Sequence, residues 1–179
     1  MTQPVRNRLI GLGSAALVYL ADQWLKHFVT LTLGLARDGD QLVLLPFFNF
    51  TRTSNFGVSM GLLTADSLAM RWGLVAMTGT IALVMLVWLL RERKLAEILP
   101  LGLVLGGALG NIRDRAVFGH VIDFADLHFG DWRPFLIFNL ADAAITLGVL
   151  IILARSFLSR EKHDDNHAAP IPSSAATES

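Results

Sequence analysis

Between residues 72 and 90 the chain carries no ionisable side chain. Extended back to residue 68, this stretch reaches the ~20 apolar residues that a helix needs to cross ~30 Å of hydrocarbon. A segment of that kind has few places to go in a small protein other than a bilayer. The rest of the composition agrees. Hydrophobic residues make up 53% of the chain and charged residues 17%, against about 45–50% and 25% in soluble domains. The mean hydropathy is +0.52. The formal net charge is zero, so the basic face of a nucleic-acid binder is missing. There is no Cys, which removes disulfides, thiol catalysis and thiolate metal sites.

Three further stretches qualify as spans. Residues 134–157 are interrupted only by Asp142 and Arg155, and Pro134 suits a first helical turn. Residues 9–28 carry Asp22 and Lys26, and residues 97–118 end on Arg113, Asp114 and Arg115. The expectation is an all-α membrane protein with four transmembrane helices over about 9–28, 68–90, 97–118 and 134–157. Arg6 and Arg8 precede the first apolar run without a small-residue cleavage site, which reads as an uncleaved anchor. Arg6, Arg8, Arg91, Arg93, Lys94, Arg155, Arg160 and Lys162 gather on one side, giving both termini in the cytoplasm. Residues 1–158 form one membrane-embedded domain. Residues 159–179 are too polar to bury a core and read as a disordered cytoplasmic tail. Residues 41–53, rich in apolar and β-branched side chains, read as a strand or hairpin in the first outer loop.

The charges inside the spans share a location. Asp22, Lys26, Arg71, Arg113, Asp114, Arg115 and Asp142 all fall in the outer half of the membrane under this topology. Intramembrane charges are costly and usually face a bundle interior or mark function. Some have structural readings: Asp22 and Lys26 are four apart on one helix face, Arg71 can snorkel, and Asp114 can pair with Arg113 or Arg115. Asp142 has no cation within four residues and is expected about 12 Å below the start of its helix. Its nearest candidate partner is Asp123, inside the apolar run Val121-Ile122-Asp123-Phe124. Two carboxylates in a poorly solvated site share a proton, so one can act as base while the other acts as acid. That suits an aspartic protease, and equally a proton-coupled transporter. A non-catalytic scaffold is the third possibility.

Other chemistries are thinner. A serine–lysine dyad would join Lys26 to Ser54 or Ser59. A metal site would need His120, Asp123 and His128, without the paired His of a helical metal motif, so no metal or cofactor is expected. Gly102, Gly106, Gly107 and Gly110 form a small-residue stripe suited to close helix packing. Phe47, Phe48, Phe50 and Trp132 read as interfacial anchors.

Five segments carry a more specific signal. Asp22-Gln23-Trp24-Leu25-Lys26, Thr53-Ser54-Asn55-Phe56-Gly57-Val58-Ser59, Gly106-Gly107-Ala108-Leu109-Gly110-Asn111-Ile112-Arg113-Asp114-Arg115, Val121-Ile122-Asp123-Phe124-Ala125-Asp126 and Phe138-Asn139-Leu140-Ala141-Asp142-Ala143 resemble, in order, the motifs of the lipoprotein signal peptidases (signal peptidase II). The resemblance implies a four-helix aspartyl endopeptidase of the bacterial inner membrane, with its site facing the periplasm. It implies diacylglyceryl-prolipoprotein substrates cut just before the lipidated Cys, contact with membrane lipids, and inhibition by globomycin. It places the catalytic pair on Asp123 and Asp142. Asn55, Gly107, Asn111, Asp114, Arg115, Asn139 and Ala141 fall on positions that line or shape the site, and Asp22 and Lys26 on a first-helix motif. It also implies a small periplasmic β-cradle at residues 41–53. Arg113, Ala125, Ala143, Gly57 and Ser59 depart from the usual pattern, Arg113 by placing a cation where the family has an apolar or weakly polar residue.

Overall fold

The computed structural model describes residues 2–57, 68–130 and 132–167, with side chains described to Leu158. Val58 and Ser59 of the second motif, and the tail from residue 168, lie outside the described residues. Four long helices and a three-stranded sheet follow in the order α1 (Gln3–His27), β1 (Gln41–Leu45), β2 (Phe48–Asn55), α2 (Leu68–Arg91), α3 (Leu95–Phe118), β3 (Val121–Leu127) and α4 (Leu140–His167). A π-helical turn, Phe28–Thr32, continues α1.

Among the described residues, three helical segments are long and apolar enough to cross a membrane: Leu68–Arg91, Leu95–Phe118 and Leu140–Leu158. α1 is as long, but Arg6, Arg8, Asp22 and Lys26 dilute it. The packing is that of a protein whose outer solvent is apolar. Leu17, Leu20, Leu83, Leu153 and Phe157 are exposed, while α3 is buried along most of its length. α3 is therefore the core element, with α1, α2 and α4 packed around it. Ala15, Ala82, Leu89, Ile98, Leu101, Leu105 and Ala108 make the main apolar cluster.

The glycine stripe explains how close these helices come. A Cβ on Gly102 would fall 2.6 Å from the Gly11 carbonyl, one on Gly106 2.4 Å from the Ala15 carbonyl, and one on Gly107 2.5 Å from the Ala141 carbonyl. The stripe thus seats α1 on one side and α4 on the other, the packing role small residues have in membranes. At the far end of α3, Gly119 takes a left-handed φ of 86° and ends the helix.

The sheet has the order β1-β2-β3, antiparallel throughout. The expected hairpin within residues 41–53 is β1 and β2. β3 was not expected: its apolar run is buried on both faces and reads equally well as a loop against a membrane. Phe50 and Phe124 meet edge to face at 5.5 Å in a second apolar cluster with Val29, Leu35 and Ala125.

Two boundaries of the last helix differ from expectation. α4 begins at Leu140, not at Pro134, because Phe138 exchanges backbone hydrogen bonds with Ala125 (3.1 and 2.7 Å). That bridge uses groups a helix would need. Asp142 consequently sits in the first turn, not two turns down. At the other end the helix runs to His167, into the stretch expected to be tail.

Candidate functional site

The antiparallel bridge between Ala125 and Phe138 is what brings the two acids together. It lays the chain ahead of α4 beside β3, so the strand's Asp123 and the helix's Asp142 converge at the sheet end of the bundle. Asn139 lies between them. Its Nδ2 donates to Asp123 Oδ1 at 2.6 Å. Its Oδ1 accepts the Asp142 backbone N–H at 2.9 Å, while its own N–H donates to Asp142 Oδ2 at 3.3 Å. This is a reciprocal cap of the α4 N-terminus, with the cap residue also holding the neighbouring carboxylate.

Each remaining oxygen is held by another amide. Asn55 Nδ2 donates to Asp123 Oδ2 at 2.9 Å, and Asn55 Oδ1 is fixed by the Gly57 N–H at 2.8 Å. Asn111 Nδ2 donates to Asp142 Oδ1 at 2.8 Å. Asn111 Oδ1 accepts from Lys26 Nζ (3.4 Å) and Asn139 Nδ2 (3.3 Å). Asp123 is only 1% exposed and Asn139 is fully buried, whereas Asp142 is half-buried. One wall of the site is therefore open beside Asp142.

Burial drives the Asp123 carboxyl up to about 7, and the nearby Asp142 charge pushes the same way against the Asn55 and Asn139 hydrogen bonds. Asp126, three residues along the same strand, goes the other way. Burial raises it, but hydrogen bonds from Arg133 and Thr51 outweigh burial and hold it below the usual carboxylate range. One strand thus carries an acid that holds its proton near neutrality and another that ionises readily.

A buried charge cluster supports the pair from beneath. Lys26 Nζ lies 2.8 Å from Asp22 Oδ2 and 2.7 Å from Asp114 Oδ2, all three side chains being at most 3% exposed. The expected Asp22–Lys26 pair is present. Asp114 pairs mainly with Lys26, and Arg113 approaches it only to 3.8 Å. Asp22 Oδ1 also accepts the Ala141 N–H at 3.0 Å, so a first-helix carboxylate satisfies a free N–H in the first turn of α4. Gly110 leaves the space for it: a Cβ there would fall 2.6 Å from Asp22 Oδ2. Gly107 does the same for Ala141, which is fully buried.

Three expected partners are redistributed. Arg115 forms no ion pair with Asp114. Its guanidinium lies near Gly57, and its Nε is buried without a hydrogen-bond partner among the described residues. Arg71 does not snorkel. It donates through Nε to the Arg115 carbonyl at 2.7 Å and through a terminal nitrogen to the Ala116 carbonyl, capping the C-terminus of α3. Lys26 is occupied, which leaves no amine for a serine. His128 is hydrogen-bonded to Asn49 at 2.8 Å, and His120 packs between Phe56 and Phe118, so neither joins Asp123. Gln23 was given no role from sequence. Its Nε2 reaches both Asp22 Oδ2 and Asp114 Oδ1 at 3.1 Å, a position that only the helix crossing discloses.

Comparison with known proteins points one way. Residues 14–158 match the Peptidase_A8 family, signal peptidase (SPase) II. The chain is 48% identical over 160 residues to the lipoprotein signal peptidase of Sphingopyxis alaskensis, covering 89% of this chain and 92% of that one. It is 34% identical over 165 residues to the lipoprotein signal peptidase of Acinetobacter baumannii, covering 91% and 92%. Among solved structures it is similar to a bacterial membrane enzyme determined by the in meso method, with a TM-score of 0.71 and 28% identity over 82% of this chain and 91% of that one.

Proposed function

The chain belongs to the signal peptidase II family, a family of membrane peptidases, and from that premise we propose that it removes signal peptides from diacylglyceryl-modified prolipoproteins by aspartyl catalysis, cutting before the lipidated Cys. The observation that carries this reading is the Asn139 side chain, bonded to Asp123 on one side and to Asp142 on the other.

In the proposed mechanism the pair holds one proton between two carboxyl groups. The ionised partner takes a proton from a water as its oxygen attacks the scissile carbonyl. The protonated partner donates to the carbonyl oxygen, and the tetrahedral intermediate collapses as the first carboxyl passes its proton to the leaving amine and the intermediate's hydroxyl returns one to the second. Water is consumed, the peptide bond breaks to an acid and an amine, and the pair regains its single proton. Asn55, Asn111 and Asn139 fix all four carboxylate oxygens, so little reorganisation is needed during the reaction. Arg115, near Gly57 at the site, is the cation available to substrate. Gly107, Asp114, Ala141, Asp22 and Lys26 shape the site by packing and charge.

The proposed setting is the bacterial inner membrane. α1 makes the fourth crossing, both termini lie in the cytoplasm, the sheet forms a periplasmic cradle, and residues 1–158 act as one unit. The carboxylates then sit at the outer membrane boundary, the depth at which a lipid-anchored Cys presents its peptide bond. Globomycin is the expected inhibitor. The test is cleavage of a diacylated precursor by the purified protein. Asp123→Asn and Asp142→Asn should each abolish cleavage with the fold retained, and globomycin should block the unaltered chain. Cleavage surviving in the double Asn variant would sink the assignment.

A further inference from the structure

A cavity of about 720 Å³ opens between the sheet ends of α1 and α3. Asn55, Asp123, Asn139 and Asp142 do not line it, while Lys26 and Asp114 of the charge cluster beneath them form part of its wall. Its size falls in the range of small-ligand sites. One side is apolar and continuous with the outer surface of the bundle: Leu20, Trp24 and Leu31 line it and are 62–65% exposed. The other side is polar and includes Gln23, Arg52 and Arg113.

The charges in the polar wall are unequally matched. Lys26 is held by Asp22 and Asp114, and Arg52 by Asp38. Among the described residues Arg113 has no comparable partner. Its guanidinium donates to the neutral Gln23 Oε1 and comes no closer than 3.8 Å to Asp114, whose carboxylate already serves Lys26. It is 43% exposed and lies over the Phe118 ring at 5.8 Å, which holds it at the cavity mouth. A second observation is independent of charge. Arg52 is only 8% exposed, yet its Nε has no hydrogen-bond partner among the described residues, and the same holds for Thr30 Oγ1 and His120 Nε2. All three residues line this cavity. Buried polar groups without partners are rare in native proteins, and these three fall on residues that line the cavity.

We propose that this cavity is a binding site for an anionic phospholipid, with the phosphate on Arg113 and the acyl chains along Leu20, Trp24 and Leu31. The apolar side opens laterally toward the bilayer, which favours a lipid over a soluble anion. The unbalanced Arg113 favours an anionic lipid over a zwitterionic one. The proposal does not depend on the peptidase reading.

Trp24 reports on the site. The chain with Trp72, Trp88 and Trp132 replaced by Phe keeps it as the sole Trp and can be reconstituted in phosphatidylcholine vesicles. Brominated phosphatidylglycerol or brominated phosphatidylcholine is then added at equal mole fraction. Phosphatidylglycerol should be enriched at Trp24 by about fivefold, the effect of one cation near an anionic headgroup. R113Q should remove the preference and R113K should keep it. The unsubstituted chain, examined by native mass spectrometry, should retain phosphatidylglycerol over phosphatidylcholine after detergent extraction, and R113Q should not. Equal quenching by both lipids, a preference that survives in R113Q, or displacement of the lipid by inorganic phosphate would each overturn the proposal. The last outcome would make this a site for free anions.

Discussion

Asn139 and Asp142 close a ring at the head of α4, each side chain accepting the other's backbone N–H, at 2.9 and 3.3 Å. The ring gives Asn139 two separable roles, since only its Nδ2 reaches Asp123. Asn139→Ala should lose both. The missing cap should cost about 1–2 kcal/mol of stability, and misplacement of the acids should lower kcat by about 10²-fold. Asn139→Ser can still cap the helix, because a hydroxyl accepts the Asp142 N–H, but it is too short to reach Asp123 as the amide does. Its thermal midpoint should recover while its kcat stays low. Recovery of both together would show that the amide acts on Asp123 only through the helix.

The Asp123 carboxyl, pushed up to about 7 by burial and by Asp142, sets a pH window. Cleavage should decline above about pH 7 as the shared proton leaves. Asn55 stabilises the ionised form through its hydrogen bond, so Asn55→Ala should raise the Asp123 value further and move the alkaline limb of kcat/KM upward. A limb that moves down would contradict the role given to Asn55. Stability has the opposite dependence from an ordinary salt-bridged acid. A group raised in the folded state retains its proton there while the unfolded chain loses it above about pH 4. Stability should therefore fall as pH rises from about 4 to 7, and Asp123→Asn should flatten that part of the thermal-midpoint profile.

The contrast between Asp123 and Arg115 shows what a sequence of this kind discloses. Asp123 could be singled out because an acid inside Val121-Ile122-Asp123-Phe124 has no local partner, and Asp142 for the same reason. Their meeting is a consequence of chain economy, since few residues separate them. The partner of Asp114 was not legible in the same way. Sequence proximity favoured Arg113 and Arg115, but the side chains on α3 point to different neighbours, and Asp114 faces α1, where Lys26 waits. The helix crossing that brings them together is set by Gly102, Gly106 and Gly110, whose spacing signalled close packing without naming the partner helix. Pro134 is compatible with a helix start, so the sequence alone places the beginning of α4 there and not at Leu140. The competing backbone pairing of Phe138 with Ala125 is a tertiary event that leaves no local periodicity.

Lys26 is one cation between two buried carboxylates, and its loss is predicted to be worse than the loss of either acid. Lys26→Met leaves Asp22 and Asp114 facing each other without compensation, which should cost about 3–5 kcal/mol, as when one member of a buried ion pair is removed. Adding Asp114→Asn to that variant should restore part of the loss, since one of the stranded charges is then removed. Thermal unfolding in detergent measures both. If the double variant were less stable than Lys26→Met alone, the cluster would not be held by charge balance.

Gly110 gives the sharpest steric test of the support beneath the dyad. A Cβ at this position would lie 2.6 Å from Asp22 Oδ2 and 3.3 Å from its carboxyl carbon. That carboxylate cannot withdraw, because Lys26 holds one oxygen and the Ala141 N–H the other. Gly110→Ala should therefore push α1 away from α3 and drag the Ala141 end of α4 through its bond to Asp22, at a cost of about 1–3 kcal/mol, and cleavage should fall with it as Asp142 moves relative to Asp123. Gly79 in α2 is the matched control, since a Cβ there meets nothing within 4 Å. Gly79→Ala should leave cleavage unchanged and raise stability by about 0.5–1 kcal/mol through the backbone freedom it removes. Equal effects of the two substitutions on the thermal midpoint would mean that the Asp22 carboxylate has room to yield, and that the contact with Gly110 does not position the site.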